Sequence, residues 1–150
     1  MEVFRIAAEI HAKVLSSSGR ANRWNKFGQN VIYTGSSRSL VTLESIAHKN
    51  SIKTTAVCKI MVISIPDDEQ FVKQIPINVL PAGWRKLVAY SALQDIGSAW
   101  YLGNESLLLK VPSVLIPFEY NFVINTGHPD FSDNIILVRI EDYFFDDRLL

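Results

Sequence analysis

The stretch Asn30-Val31-Ile32-Tyr33-Thr34-Gly35-Ser36-Ser37-Arg38-Ser39-Leu40-Val41-Thr42-Leu43-Glu44-Ser45-Ile46-Ala47-His48-Lys49 changes its periodicity once, at Gly35. The β-branched and aromatic run before the glycine predicts a strand over 30–34. Ser36 and Ser37 are hydroxyl N-caps, and they predict a helix running to about Lys49. At 3.6 residues per turn, Leu40, Leu43, Ile46 and Ala47 form an apolar arc, and Glu44 projects between Leu40 and Val41 on the same side. Burying a carboxylate without a partner costs several kcal/mol or shifts its ionisation. Glu44 therefore calls for a cation or hydrogen-bond donor, a wet pocket, or a chemical task. An ion pair or a rim position is the commoner fate of such a group, because carboxylates are seldom fully buried.

Strand followed by helix is the local order, and the reading extends outward from it. Val3 to Ala7 predicts an opening strand, and Ser16 to Asn30 predicts a polar loop of the length that is usually functional or mobile. Thr54 to Ile65 predicts a strand ending in the turn Pro66-Asp67-Asp68, with a short strand at Phe71 to Ile75. Arg85 to Leu102 has helical composition, and Gly97 is expected to divide it. Three apolar runs, Leu107 to Val111, Glu119 to Ile124 and Ile135 to Ile140, predict strands separated by proline and glycine corners. With no repeat or linker-like segment, the pattern is α+β in one domain over 1–150, with strands outnumbering helices.

The chain has 150 residues, 48% of them hydrophobic and 20% charged, a composition that folds rather than stays disordered. Fifteen basic residues balance fifteen acidic ones, so there is no global attraction to a polyanion, and direct nucleic-acid binding is not expected. The balance is uneven along the chain: residues 1–60 carry nine basic and three acidic side chains, residues 61–150 six and twelve. The acidic half, including Glu141-Asp142 and Asp146-Asp147, is expected to balance the basic one or to face a partner. A single cysteine, Cys58, fits a reducing cytoplasm. No signal-like start and no run of about 18 apolar residues argues for a secreted or membrane-embedded protein.

Phosphate-loop, dinucleotide-fingerprint, CxxC, HExxH and GxSxG motifs are absent. What remains is a set of individually weak candidates. Arg23, in Arg23-Trp24-Asn25 of the polar loop, carries a guanidinium suited to a carboxylate or a diphosphate, although a lone loop arginine is more often simply exposed. Tyr33 offers a stacking face or ordinary core packing. Ser113 follows Pro112 at a corner, where serine usually forms turns. Glu44 and His48 lie four apart on a helix, and with His128 they approach a metal-ligand count, but the spacing matches no defined metal site and none is expected.

Taken in order, Phe4-Arg5-Ile6, Arg23-Trp24-Asn25, Val31-Ile32-Tyr33-Thr34, Ser39-Leu40 through Leu43-Glu44, Gln94-Asp95-Ile96-Gly97 with Trp100, Val111-Pro112-Ser113, Glu119-Tyr120-Asn121, Asn125 with His128-Pro129-Asp130, and Asp147-Arg148-Leu149 resemble the RES domain family over essentially the whole chain. The resemblance implies a fold like that of ADP-ribosyltransferase toxins, a central mixed or antiparallel sheet with flanking helices. It further implies a toxin of a type II toxin–antitoxin pair that degrades NAD as substrate, by hydrolysis or phosphorolysis of the nicotinamide–ribose bond, without a further cofactor. ADP-ribosyl transfer to a macromolecule and a catalytically weak interaction module are the alternatives. Arg23, Tyr33 and Glu44 are the implied catalytic residues, with Arg23, Tyr33, Ser113 and Asn125 contacting substrate. The implied partner is a helix-turn-helix (Xre-like) antitoxin that would carry the DNA contact, in a homo-oligomer or a toxin–antitoxin hetero-oligomer. The sequence departs from the family pattern at Ala21-Asn22, where paired glycines are usual, and at Thr126, where proline is usual.

Overall fold

The structure is a computed structural model and describes residues 1–48 and 56–149. Seven strands form one sheet: β1 (Glu2–Ala8), β2 (Val31–Gly35), β3 (Cys58–Ser64), β4 (Val72–Gln74), β5 (Leu108–Pro112), β6 (Tyr120–Asn125) and β7 (Ile136–Tyr143). Their order is β4-β5-β6-β2-β1-β3-β7, antiparallel throughout except for the parallel pair β4–β5. A parallel pair needs a crossover, and the chain supplies it with α2 (Tyr90–Gly103). The other helices are α1 (Arg38–Ala47) and the single turn α3 (Phe131–Asn134). The architecture is therefore the expected α+β one, with a mixed sheet.

The elements follow their local chemistry. Ser37 caps α1, its Oγ accepting the Leu40 N–H at 3.1 Å. The helix ends in an ordered turn at His48; Lys49, and Thr54 with Thr55 of the expected third strand, lie outside the described residues. Two details of the expected helices are corrected. The apolar arc of α1 is centred on Leu40 and Val41, which are buried, while Leu43 is exposed, because the helix turns the face of residues 40, 41, 44 and 45 inward and Leu43 lies off that face. Gly97 does not divide α2, which runs unbroken from Tyr90 to Gly103. A Cβ at residue 97 would lie 1.7 Å from the Trp24 carbonyl oxygen, so glycine is required there because the polar loop crosses the helix at that point. The single turn α3 had no signal in the hydrophobic pattern.

One face of the sheet carries the large core of Val3, Ile32, Met61, Ile63, Leu108, Phe122 and Ile124. The opposite face carries two smaller clusters. Leu93 and Trp100 of α2 pack with Trp24, Trp84, Leu109 and Val123, and Val41 of α1 packs with Phe4, Ile60 and Val62. Between them the sheet opens. β1 matches all seven of its residues to β3 but only Phe4 to Gly35 of β2, whereas β2 is paired along its whole length to β6. The strands therefore diverge from that single point.

Part of the charge split is balanced within the molecule. Arg38 of α1 forms a bidentate pair with Glu141 of β7 and lies over the Phe4 ring, and Lys59 pairs with Asp142 and Glu9. These exposed pairs fix geometry more than they add stability. No helix among the described residues is long and apolar enough to cross a membrane.

Replacing Gly97 by alanine tests the crossing of loop and helix. Alanine favours an exposed helix by about 1 kcal/mol over glycine, yet here it is expected to destabilise the protein by about 1–3 kcal/mol through overpacking. The check is the midpoint of urea unfolding, which should fall.

Candidate active site

The divergence of β1 from β2 leaves a cleft of about 230 Å³, lined by Arg5, Ile6, Asn22, Tyr33, Thr34, Val41, Glu44, Ser45, His48 and Asn121. Residues of both sheet faces reach it, because it opens through the split and not on one surface. Gly35 makes the arrangement feasible. A Cβ there would come within 2.6 Å of Val41 Cγ1 and 3.3 Å of Asn121 Oδ1, so its absence lets α1 settle against the sheet with Glu44 facing β6.

Glu44 is half-buried, and one of its oxygens is held firmly. Oε1 accepts from Asn121 Nδ2 at 2.8 Å and from Ser113 Oγ at 3.2 Å. Ser113 Oγ itself accepts the N–H groups of Leu115 and Ile116, each at 3.1 Å, so its one proton is directed to the carboxylate. Ser113 is thus both a turn-forming serine and a donor to the glutamate. Oε2 receives no hydrogen bond from the described residues and is the oxygen left to the cleft. Glu44 answers the demand set by its place on the helix with two neutral donors and an open cleft instead of an ion pair.

Tyr33 turns its ring toward the cleft while its hydroxyl is engaged behind it. The oxygen accepts the Trp24 N–H at 3.0 Å and donates to Asn25 Oδ1 at 2.7 Å. Burial is the main cause that pushes the phenol well above its ordinary range, partly opposed by the Trp24 N–H and by nearby Arg23. The phenol is held neutral, with both hydrogen bonds of its hydroxyl directed away from the cleft. Asn25, 1% exposed, completes the support: its Nδ2 donates to the carbonyls of Arg20, Lys26 and Gln29, closing the polar loop on itself.

Arg23 lies at the margin. Its guanidinium stacks on the Tyr90 ring, 4.8 Å from the centroid, and the residue does not line the cleft. The arginine that does is Arg5 of β1, whose Nη1 donates to the Ser16 carbonyl at 2.8 Å and whose pKa is lowered by burial. The structure likewise does not bring Asn125 into the cleft. That residue is buried at the far end of β6, opposite Val31, where its amide donates to Asn104 Oδ1 and accepts the Gly127 N–H. Asn121, four residues earlier and about 13 Å back along the strand, faces Gly35 and holds Glu44. Asn121 and Arg5 both stand inside motifs that the sequence displays, but nothing local distinguishes an asparagine at one end of a strand from one at the other. His128 braces its own loop by accepting the Asp130 N–H at 3.1 Å, and among the described residues no three metal-ligating side chains converge.

Comparison with known proteins gives the family of the chain. The RES domain family model matches residues 2–146, and the chain belongs to that family. It is 33% identical over 155 residues to the Prs ADP-ribosylating toxin of Sphingobium sp. (strain YBL2), covering 98% of this chain and 95% of that protein. It is 35% identical over 127 residues to Toxin Res of Yersinia enterocolitica, covering 85% and 82%. Among solved structures, the MbcT–MbcA toxin–antitoxin complex of M. tuberculosis contains a chain that superposes with a TM-score of 0.75 at 18% identity, over 95% of this chain and 83% of that one, a likeness of fold.

The Tyr33 environment makes a pH prediction. Its phenol binds its proton more tightly in the folded than in the unfolded chain, so the stabilisation is complete below about pH 10 and is lost as pH rises through the folded-state value. Unfolding free energy measured against pH should decline above about pH 10, and the decline should be shallower in Tyr33→Phe. That variant should also be less stable at neutral pH by about 1–3 kcal/mol, having left the Trp24 N–H and Asn25 Oδ1 without their partner.

Proposed function

We propose that the protein is the toxin of a toxin–antitoxin pair and that it cleaves the nicotinamide–ribose bond of NAD. The observation that carries the reading is the Glu44 carboxylate, fixed by Asn121 and Ser113 with one oxygen left to a cleft that Tyr33 walls with its ring. Nicotinamide is a cationic leaving group, so its departure needs little acid assistance and builds positive charge on the ribose carbon. An oriented carboxylate stabilises that charge and accepts from a ribose hydroxyl, as carboxylates do in glycoside hydrolysis. Tyr33 stacks on the nicotinamide ring. Arg5 and Arg23 supply positive charge for the diphosphate, and the amide contact first assigned to Asn125 falls to Asn121. Ser113 acts through Glu44, as a positioning residue.

The bond cleaved leaves the acceptor open to water, to inorganic phosphate or to a macromolecule. Release to water or phosphate is the leading reading, because it needs no acceptor surface beside the cleft. The name of the Sphingobium relative, an ADP-ribosylating toxin at 33% identity, favours transfer to a protein as the second. Family membership and the fold shared with a chain of a toxin–antitoxin complex support a cognate antitoxin as the partner.

Purified protein incubated with NAD, with and without phosphate, should release nicotinamide. Identification of ADP-ribose, its 1″-phosphate or labelled protein then fixes the acceptor. Glu44→Gln should lower nicotinamide release by about 10²–10³-fold, and a variant retaining near-normal turnover would remove Glu44 from the chemistry.

A further inference from the structure

The cleft holds a hydrogen-bond donor that the reading above does not use. Asn22 is the polar-loop residue that reaches the cleft, and nearly all of its hydrogen-bonding capacity is committed. Its backbone N–H and carbonyl pair with Asn25, and the carbonyl also accepts from Gln94 Nε2 at 3.0 Å. Its Oδ1 accepts the Arg23 N–H at 2.8 Å and the Tyr90 hydroxyl at 2.9 Å. A backbone N–H can only donate, so the side-chain atom facing it is the oxygen, and the amide has one orientation. Its Nδ2, with two N–H donors, has no acceptor among the described residues.

We propose that Asn22 is a substrate-contacting residue whose Nδ2 donates to a phosphate oxygen of a bound nucleoside diphosphate moiety, with Tyr90 as its positioning residue. The proposal rests on the dinucleotide reading above and adds to it a specific donor. A group that only donates selects a ligand atom that only accepts, and an ionised phosphate oxygen is the strongest such acceptor in a dinucleotide. The surroundings favour the same choice. The guanidinium of the next residue, Arg23, lies over the ring of the tyrosine whose hydroxyl holds Asn22, and Arg5 lines the same cleft. Tyr90 therefore fixes Asn22 with its hydroxyl and the neighbouring cation with its ring face, so that donor and charge are presented together. The donor costs nothing to orient when the ligand arrives, because its other atoms are already committed.

Asn22→Asp is the decisive substitution. The carboxylate keeps an oxygen for the Arg23 N–H and the Tyr90 hydroxyl but replaces the donor by a negative charge. Calorimetric titration with ADP, which carries the diphosphate without the nicotinamide, should show affinity for the wild-type protein reduced tenfold or more in Asn22→Asp. Asn22→Ala should lose about tenfold, the usual effect of removing one hydrogen bond to a charged group, and Tyr90→Phe less. In NAD turnover the KM of Asn22→Ala should rise with kcat within about twofold, while inhibition by free nicotinamide, which has no phosphate, stays unchanged. Equal ADP affinity in wild type and Asn22→Asp, or no ADP binding by the wild-type protein, overturns the proposal. Wild-type binding of ADP that is lost in Asn22→Asp, without any cleavage of NAD, upholds the diphosphate contact and rejects the catalytic reading.

Discussion

The site depends on one backbone contact, the pairing of Phe4 with Gly35. From that point β1 follows β3 and β2 follows β6, and the wedge between them is the cleft. A sheet split in this way would expose unpaired backbone along both strands unless other elements closed over it. Here α1 flanks the opening at one end and the polar loop with α2 at the other, on the same face of the sheet, and each needs a glycine at its closest approach: Gly35 under Val41, and Gly97 under the Trp24 carbonyl. The two glycines are therefore spacing elements, which set how near the helices come to the opening and thus where Glu44 and Asn22 stand.

The site has a division of labour that follows from burial. Fully buried polar groups, Asn25, Ser113 and Asn125, spend their hydrogen bonds on the protein and hold loops in shape. Half-buried ones, Glu44, Asn22 and Tyr33, are gripped at one atom or edge and present the other to the cleft. This satisfies two opposed demands, since a buried polar group without a partner is costly, while a group with every partner satisfied has nothing left for a ligand. The cations are arranged with similar economy. Arg38 and Lys59 are spent on Glu141 and Asp142, and Lys26 on Asp95, so part of the basic excess of the first 60 residues is structural. Arg5 and Arg23, which pair with no carboxylate among the described residues, are left near the cleft.

Much of this was legible from the chain. The strand–glycine–capped-helix unit at residues 30–47 announced both the fold class and the odd placement of Glu44, because periodicity and capping are local properties. Ser113 and Tyr33 were legible as candidates, and the structure brings both to the cleft region, one behind Glu44 and one in the wall. Asn125 and Arg23 show where local reading stops. Asn121 and Asn125 are on the same strand and the same face, and only the register of β6 against β2 decides which of them meets α1. Arg23 and Arg5 differ likewise by where the polar loop is folded back, which is fixed by Tyr90, Gln94 and Gly97 of α2, residues some seventy positions away from the loop in sequence.

The sequence by itself determined the α+β pattern, the elements that carry the site and the chemical types available to it, because these follow from short-range periodicity, capping and composition. The tertiary structure alone decided that the sheet splits at Gly35, that Asn121 and Ser113 hold Glu44 by the same oxygen, and that Gly97 passes a loop instead of breaking a helix. Each of those outcomes is a contact between segments far apart in the chain. Such contacts are set by strand register and packing distance, quantities that no local stretch of residues encodes.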